Sequence, residues 1–167
     1  MTPVSARRCW SPCLWSCSCW PQAAWSNAMW LDALFTGMSA LAAAGWAVLL
    51  LGRRWPRLQQ AVCAVVVPAL LALAYAALYP ALYVESPGGY ASIDDLRILL
   101  NADRGIVVAA WLHYLAFDLL VGWWMGQDAS QHTIPQFAVV PCQLITFAFG
   151  PLGWLAYLVA RVCMAQR

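Results

Sequence analysis

The sequence predicts an all-α fold: a polytopic transmembrane bundle of four helices with a short interfacial helix in the second loop. Of the 167 residues 63% are hydrophobic and only 10% charged, too few charges to cover a soluble globule, which carries roughly a quarter of its residues as charge. The charges lie in short clusters between apolar runs, and those runs reach the ~20 residues that a helix needs to cross ~30 Å of hydrocarbon. Small residues and boundary aromatics recur within the runs, as helices in lipid require for close packing and anchoring. The lipid bilayer is therefore the solvent. All nine basic residues are Arg, scattered along a chain of net charge +2, so no nucleic-acid partner is expected.

Residues 1–28 mix Trp, Cys, Ser and Pro without an apolar core or a helical stripe, and Pro12 and Pro21 interrupt any signal-sequence core. We read them as a non-native or disordered N-terminal extension, with the true start at Met29 and a four-helix transmembrane domain over 29–167. Cys9, Cys13, Cys17 and Cys19 have neither a second cluster nor histidines to complete a metal site, so no metal and no cofactor are expected. The first span covers about 31–51, with Asp32 at its entrance and Arg53, Arg54 and Arg57 beyond its exit. Its Ala, Gly and Ser residues predict close helix packing. The second covers about 60–84, kinked by Pro68 and bearing Tyr75, Tyr79 and Tyr83 at steps of four on one face. That face is either an interfacial belt or a ligand-facing wall.

Residues 85–104 form the one substantial polar loop, and within it Ser92 is placed to cap a short amphipathic helix with Asp94 and Asp95 in the first turn. The third span covers about 105–126 and the fourth lies within 134–163. Thirty residues would extend ~45 Å as one helix, more than the core requires, so the fourth must tilt, protrude or break. Gly150-Pro151 is the natural break point. The three arginines of the first loop favour its lying in the cytoplasm, but Arg161 and Arg167 would then fall on the opposite side and leave the charge count equivocal.

Asp118 stands near the middle of the third span, where an ionised carboxylate costs about 2.5–3.5 kcal/mol even on lenient scales. It should face the bundle interior and is a functional candidate. His113 is five residues earlier, roughly 140° around the helix, so the two read as separate walls of a cavity. Trp111, Tyr114 and Gly122 share the face of Asp118, while Gln143 and Thr146 point inward from the fourth span. Asp128 and His132, beyond the third span, read as solvated loop residues.

The segments HYLAFDLLVG (His113 to Gly122), QDA (Gln127 to Ala129) and FAFGPLGWLAY (Phe147 to Tyr157) resemble the small membrane-protein family of plant neoxanthin synthase, the abscisic-acid-deficient type, over residues 29–160. Where family members carry Gly-Arg-Trp, this chain has Gly122-Trp123-Trp124. The resemblance implies a carotenoid isomerase that opens an epoxide by acid/base chemistry, with Asp118 as acid and His113 as base. Trp111, Tyr114, Gly122, Thr146, Gly150 and Pro151 would bind the carotenoid or related isoprenoid ligand. The alternative is a non-catalytic pigment- or lipid-binding scaffold that assists another membrane enzyme. Further copies of the chain, or other membrane enzymes, would be its partners. The expected location is the bacterial inner (cytoplasmic) membrane, or a chloroplast membrane in a phototrophic eukaryote.

Overall fold

The computed structural model describes residues 22–165, with side chains from Met29 to Met164. Six helices follow one another: α1 (Gln22–Leu51), α2 (Pro56–Glu85), α3 (Ile93–Ala102), α4 (Arg104–Gln131), α5 (Gln136–Phe149) and α6 (Pro151–Ala165). No strand occurs among the described residues. The segments Met29–Arg54, Pro56–Glu85 and Arg104–Gln131, of 26, 30 and 28 residues, are long and apolar enough to cross a membrane. Residues 1–21 lie outside the described residues, and with them most of the expected extension. Residues 22–28 continue α1 upstream of the expected boundary, in a stretch where Ala23, Ala24 and Ala28 favour helix.

α4 is the central element, half of its most apolar stretch being buried against 22% for α1 and for α2. Leu112, Leu115, Ala116 and Leu119 of α4 meet Ala42, Trp46 and Leu49 of α1 and Cys63, Val67 and Leu71 of α2 in one core. The small residues of α1 permit this approach, since a Cβ on Gly45 would stand 2.8 Å from Leu119 Cδ2. The Cys63 thiol donates to the Gly45 carbonyl at 3.3 Å. Pro68 does not break α2. It has no N–H to offer and its ring crowds the preceding turn, and the chain answers with wider, π-type turns over Gln60–Val66.

α3 begins as its cap predicts: Ser92 Oγ accepts from Asp95 N at 3.0 Å and donates to Asp95 Oδ2 at 2.8 Å. At the same end of the bundle Arg104 pairs with Asp32 across helices at 2.7 Å, both exposed.

The fourth span differs most from expectation. It breaks at Gly150 as the Gly-Pro pair suggests, but α6 then folds back along α5. Gly153 packs directly on Cys142 and Thr146. Side chains of α6 then meet α4 in sequence: Trp154 against Trp124, Tyr157 against Asp128, Arg161 against His132. α6 therefore runs parallel to α4, and the α5–α6 hairpin has its base at the C-terminal end of α4. Its tip reaches Asp118, which lies half-way along that helix. Two helices of 14 and 15 residues, each ~21–23 Å long, are shorter than the ~30 Å core. Over 134–163 the chain forms two short antiparallel helices in place of one continuous one.

Candidate functional site: the hairpin tip at Asp118

Trp111, Tyr114 and Asp118 occupy one face of α4 at helical spacing. The Trp111 indole N–H donates to Ser39 Oγ of α1 at 3.0 Å. Its ring stacks on Tyr114, with centroids 5.4 Å apart and planes inclined by 21°, and also meets Phe35. Asp118 is 8% exposed. The hairpin tip covers it. Gly150 adopts φ +52°, and a Cβ there would stand 3.2 Å from both Asp118 Oδ1 and Tyr114 Cε2. Glycine thus serves twice, allowing a backbone angle that side chains resist and letting the chain approach the carboxyl group. Asp118 Oδ2 is buried with no hydrogen-bond partner among the described residues.

The other expected site residues divide. Pro151 adjoins the tip as the exposed first residue of α6. Gly122 and Thr146 lie in contacts between helices. A Cβ on Gly122 would stand 2.7 Å from the Trp46 ring, and the Gly122 carbonyl accepts from Gln143 Nε2 at 2.8 Å. Thr146 Oγ1 donates to the Cys142 carbonyl at 2.9 Å under Gly153.

His113 does not share a cavity with Asp118. It is exposed and lies among rings, 4.7 Å from Phe117 and 5.8 Å from Tyr75 between centroids. From Tyr75 a ladder of stacked rings continues through Tyr79 and Tyr83 to Tyr90, and the Tyr79 and Tyr90 hydroxyls are hydrogen-bonded to each other. Beside the ladder is a groove of about 170 Å³, closed on its far side by Leu96, Leu99 and Leu100 of α3. The buried Leu112, Leu115, Ala116 and Leu119 occupy the part of α4 between this surface and that of Asp118.

Asp128 and His132 also differ from the solvated loop expected. α4 extends to Gln131, and Asp128 is buried there as the centre of a polar cluster at the hairpin base. Tyr157 donates to Asp128 Oδ2 at 2.5 Å, and Arg161 Nε approaches the same oxygen at 3.0 Å. Arg161 also donates to His132 Nε2 at 3.0 Å. A guanidinium has no acceptor, so Nε2 carries the lone pair and Nδ1 the proton. Nδ1 faces the Asp128 carbonyl at 2.9 Å. The sequence signal for this cluster is a pair of i, i+4 polar steps in apolar surroundings, Asp128/His132 and Tyr157/Arg161.

These features define an all-helical membrane-protein class: three long apolar helices, of which the central one carries a buried acid, with a short helical hairpin folded onto it. Residues 33–157 match the family model described as ABA4-like, ABA DEFICIENT 4-like, and the chain belongs to that family. No curated protein and no solved structure matches.

Proposed function

We propose that this protein isomerises a carotenoid or a related isoprenoid lipid inside the bilayer, with Asp118 as the proton-transfer group. The observation that carries the reading is the Asp118 carboxyl itself, buried half-way along a membrane-length helix with one oxygen unpartnered beneath the Gly150 turn. Intramembrane acids are costly and characteristically functional. Isomerisation consumes no oxidant and no reductant. A protonated carboxyl can donate its proton to an epoxide oxygen while its second oxygen accepts the proton lost from carbon, so one acid balances the step. Family membership supports the substrate class. The test is the pigment profile of a carotenoid-producing host carrying the wild-type chain, Asp118→Asn or His113→Gln. Loss of product in Asp118→Asn with product retained in His113→Gln is expected, and unchanged turnover in Asp118→Asn overturns the mechanism.

A second reading, a non-catalytic pigment- or lipid-binding scaffold, is favoured by the ring ladder beside His113, which offers flat apolar surface without an adjacent acid. An unaltered pigment profile, together with ligand retention that depends on Tyr75 and Tyr79, would support it.

The topology we propose is three crossings plus a half-membrane hairpin. Because the hairpin returns, Arg161 lies at the same end as Arg53, Arg54 and Arg57, opposite Arg97 and Arg104, a four-to-two excess among the described arginines. The arginine-rich end is then cytoplasmic. With Cys9, Cys13, Cys17 and Cys19 changed to Ser, the exposed Cys163 should react with an impermeant maleimide from the same side as Arg54→Cys and from the side opposite Ala91→Cys. Labelling of Cys163 from the Ala91→Cys side refutes it.

A further inference from the structure

The arginine-rich end holds a second cavity, about 160 Å³, between the α1–α2 turn, α4 and the start of α5, far above the ~15 Å³ that one water needs. Its lining includes Arg53, Gln59, Trp123, Gln127, Gln136 and Gln143 and contains no Asp or Glu. Among the described residues Arg53 forms no ion pair or hydrogen bond, and the buried Trp123 Nε1 has no hydrogen-bond partner. The amide groups of Gln127 and Gln136 are likewise uncommitted, whereas Gln59 and Gln143 are held in place by donating to the Leu49 and Gly122 carbonyls at 2.6 and 2.8 Å. Leu49, Pro56 and the Trp123 ring supply apolar wall.

Gln143 and the orphan Trp123 N–H are buried in the wall, Gln59, Gln127 and Gln136 are half-buried, and the exposed Arg53 guanidinium stands at the mouth. Arg53 and the Trp123 indole are donors only, and the uncommitted Gln127 and Gln136 amides can turn their NH2 groups inward. Asp128, in the neighbouring cavity that shares Trp123 and Gln127, is already engaged by Arg161 and Tyr157.

We propose that this cavity binds a phosphate group, that of an anionic phospholipid headgroup at the cytoplasmic face, with Arg53 as its counter-ion. The Trp123 N–H and the Gln127 and Gln136 amides are its further donors. Leu49, Pro56 and the Trp123 ring flank the first carbons of the ester stem. Arg54 and Arg57 lie outside the cavity and raise the local concentration of anions.

The test is native mass spectrometry of the full chain released from nanodiscs containing phosphatidylglycerol and phosphatidylcholine in equal amounts. One retained phosphatidylglycerol per chain is expected. Arg53→Gln should lower its retention by about tenfold, the loss of one charge-assisted contact, and Trp123→Phe by several-fold. Arg54→Gln/Arg57→Gln should change it by less than about threefold, as neither lines the cavity and unpaired exposed charges contribute little. Displacement of the lipid by millimolar inorganic phosphate would identify a phosphate site open to soluble anions, and resistance to it a site that also needs the lipid stem. Equal retention of both lipids, or retention indifferent to both Arg53→Gln and Trp123→Phe, overturns the proposal.

Discussion

Gly153→Ala gives the most direct test of the folded-back hairpin. An added Cβ would stand 2.2 Å from Thr146 N and 2.5 Å from the Cys142 carbonyl oxygen, against an ordinary contact of at least 3.4 Å. The first shortfall is about 1.2 Å, and both atoms are backbone, so no rotamer change relieves it. α5 and α6 must separate, which strips contacts from Val139, Cys142 and Tyr157, buried together with Met125 and Ala129 of α4. Overpacking of this kind costs about 1–3 kcal/mol or more, and separation along two short helices puts Gly153→Ala at the upper end. Gly37→Ala is the internal control, since nothing lies within 4 Å of its added Cβ. In mid-helix it should stabilise by about 0.5–1 kcal/mol. Denaturation by SDS in mixed micelles, followed by tryptophan fluorescence, compares the two. Thr146→Ala removes the hydroxyl, also close at 2.1 Å, but not the backbone contact, so Gly153→Ala/Thr146→Ala should stay destabilised. Wild-type stability in Gly153→Ala, or rescue by Thr146→Ala, would refute the close antiparallel packing.

The cluster at the hairpin base should be sensitive to truncation: Arg161→Gln leaves the buried Asp128 without its counter-ion and should cost about 2–4 kcal/mol in the same denaturation assay. Tyr157→Phe removes one donor to that carboxylate and should cost about 1–3 kcal/mol. The exposed Arg104–Asp32 pair makes the contrast, Asp32→Asn costing less than about 1 kcal/mol. Ser92→Ala deletes the cap of α3 and should cost about 1 kcal/mol locally, read as faster amide exchange over residues 93–99 with α4 unaffected.

The sequence made some of this legible and concealed the rest for physical reasons. The N-cap at Ser92, the packing role of the small residues in α1 and the break at Gly150 are local, and local chemistry writes them plainly. The separation of His113 from Asp118 followed from 100° per residue, and the structure places them on different surfaces. For Gly122 and Thr146 the sequence gives the helix face and not what that face meets. One meets Trp46 and the other Gly153, partners from distant segments. Asp128 was placed in a loop because the apolar run ends near Gly126, although α4 continues to Gln131. Its partner is 29 residues away on a helix whose direction was not readable.

Direction is the quantity that hydropathy lacks. Thirty apolar residues suit one tilted crossing or two half-length helices equally well, and a Gly-Pro pair marks the break without giving the angle. The positive φ of Gly150 decides between them by turning α6 back, and two consequences follow from that single residue. The tip comes to rest on Asp118, so the acid is covered by backbone rather than left to lipid. The same reversal returns Arg161 to the end that already holds Arg53, Arg54 and Arg57, with Arg97 and Arg104 at the other. The geometry of one glycine thus connects the cover over the buried acid with the placement of Arg161, and a chain that continued straight at this point would have neither.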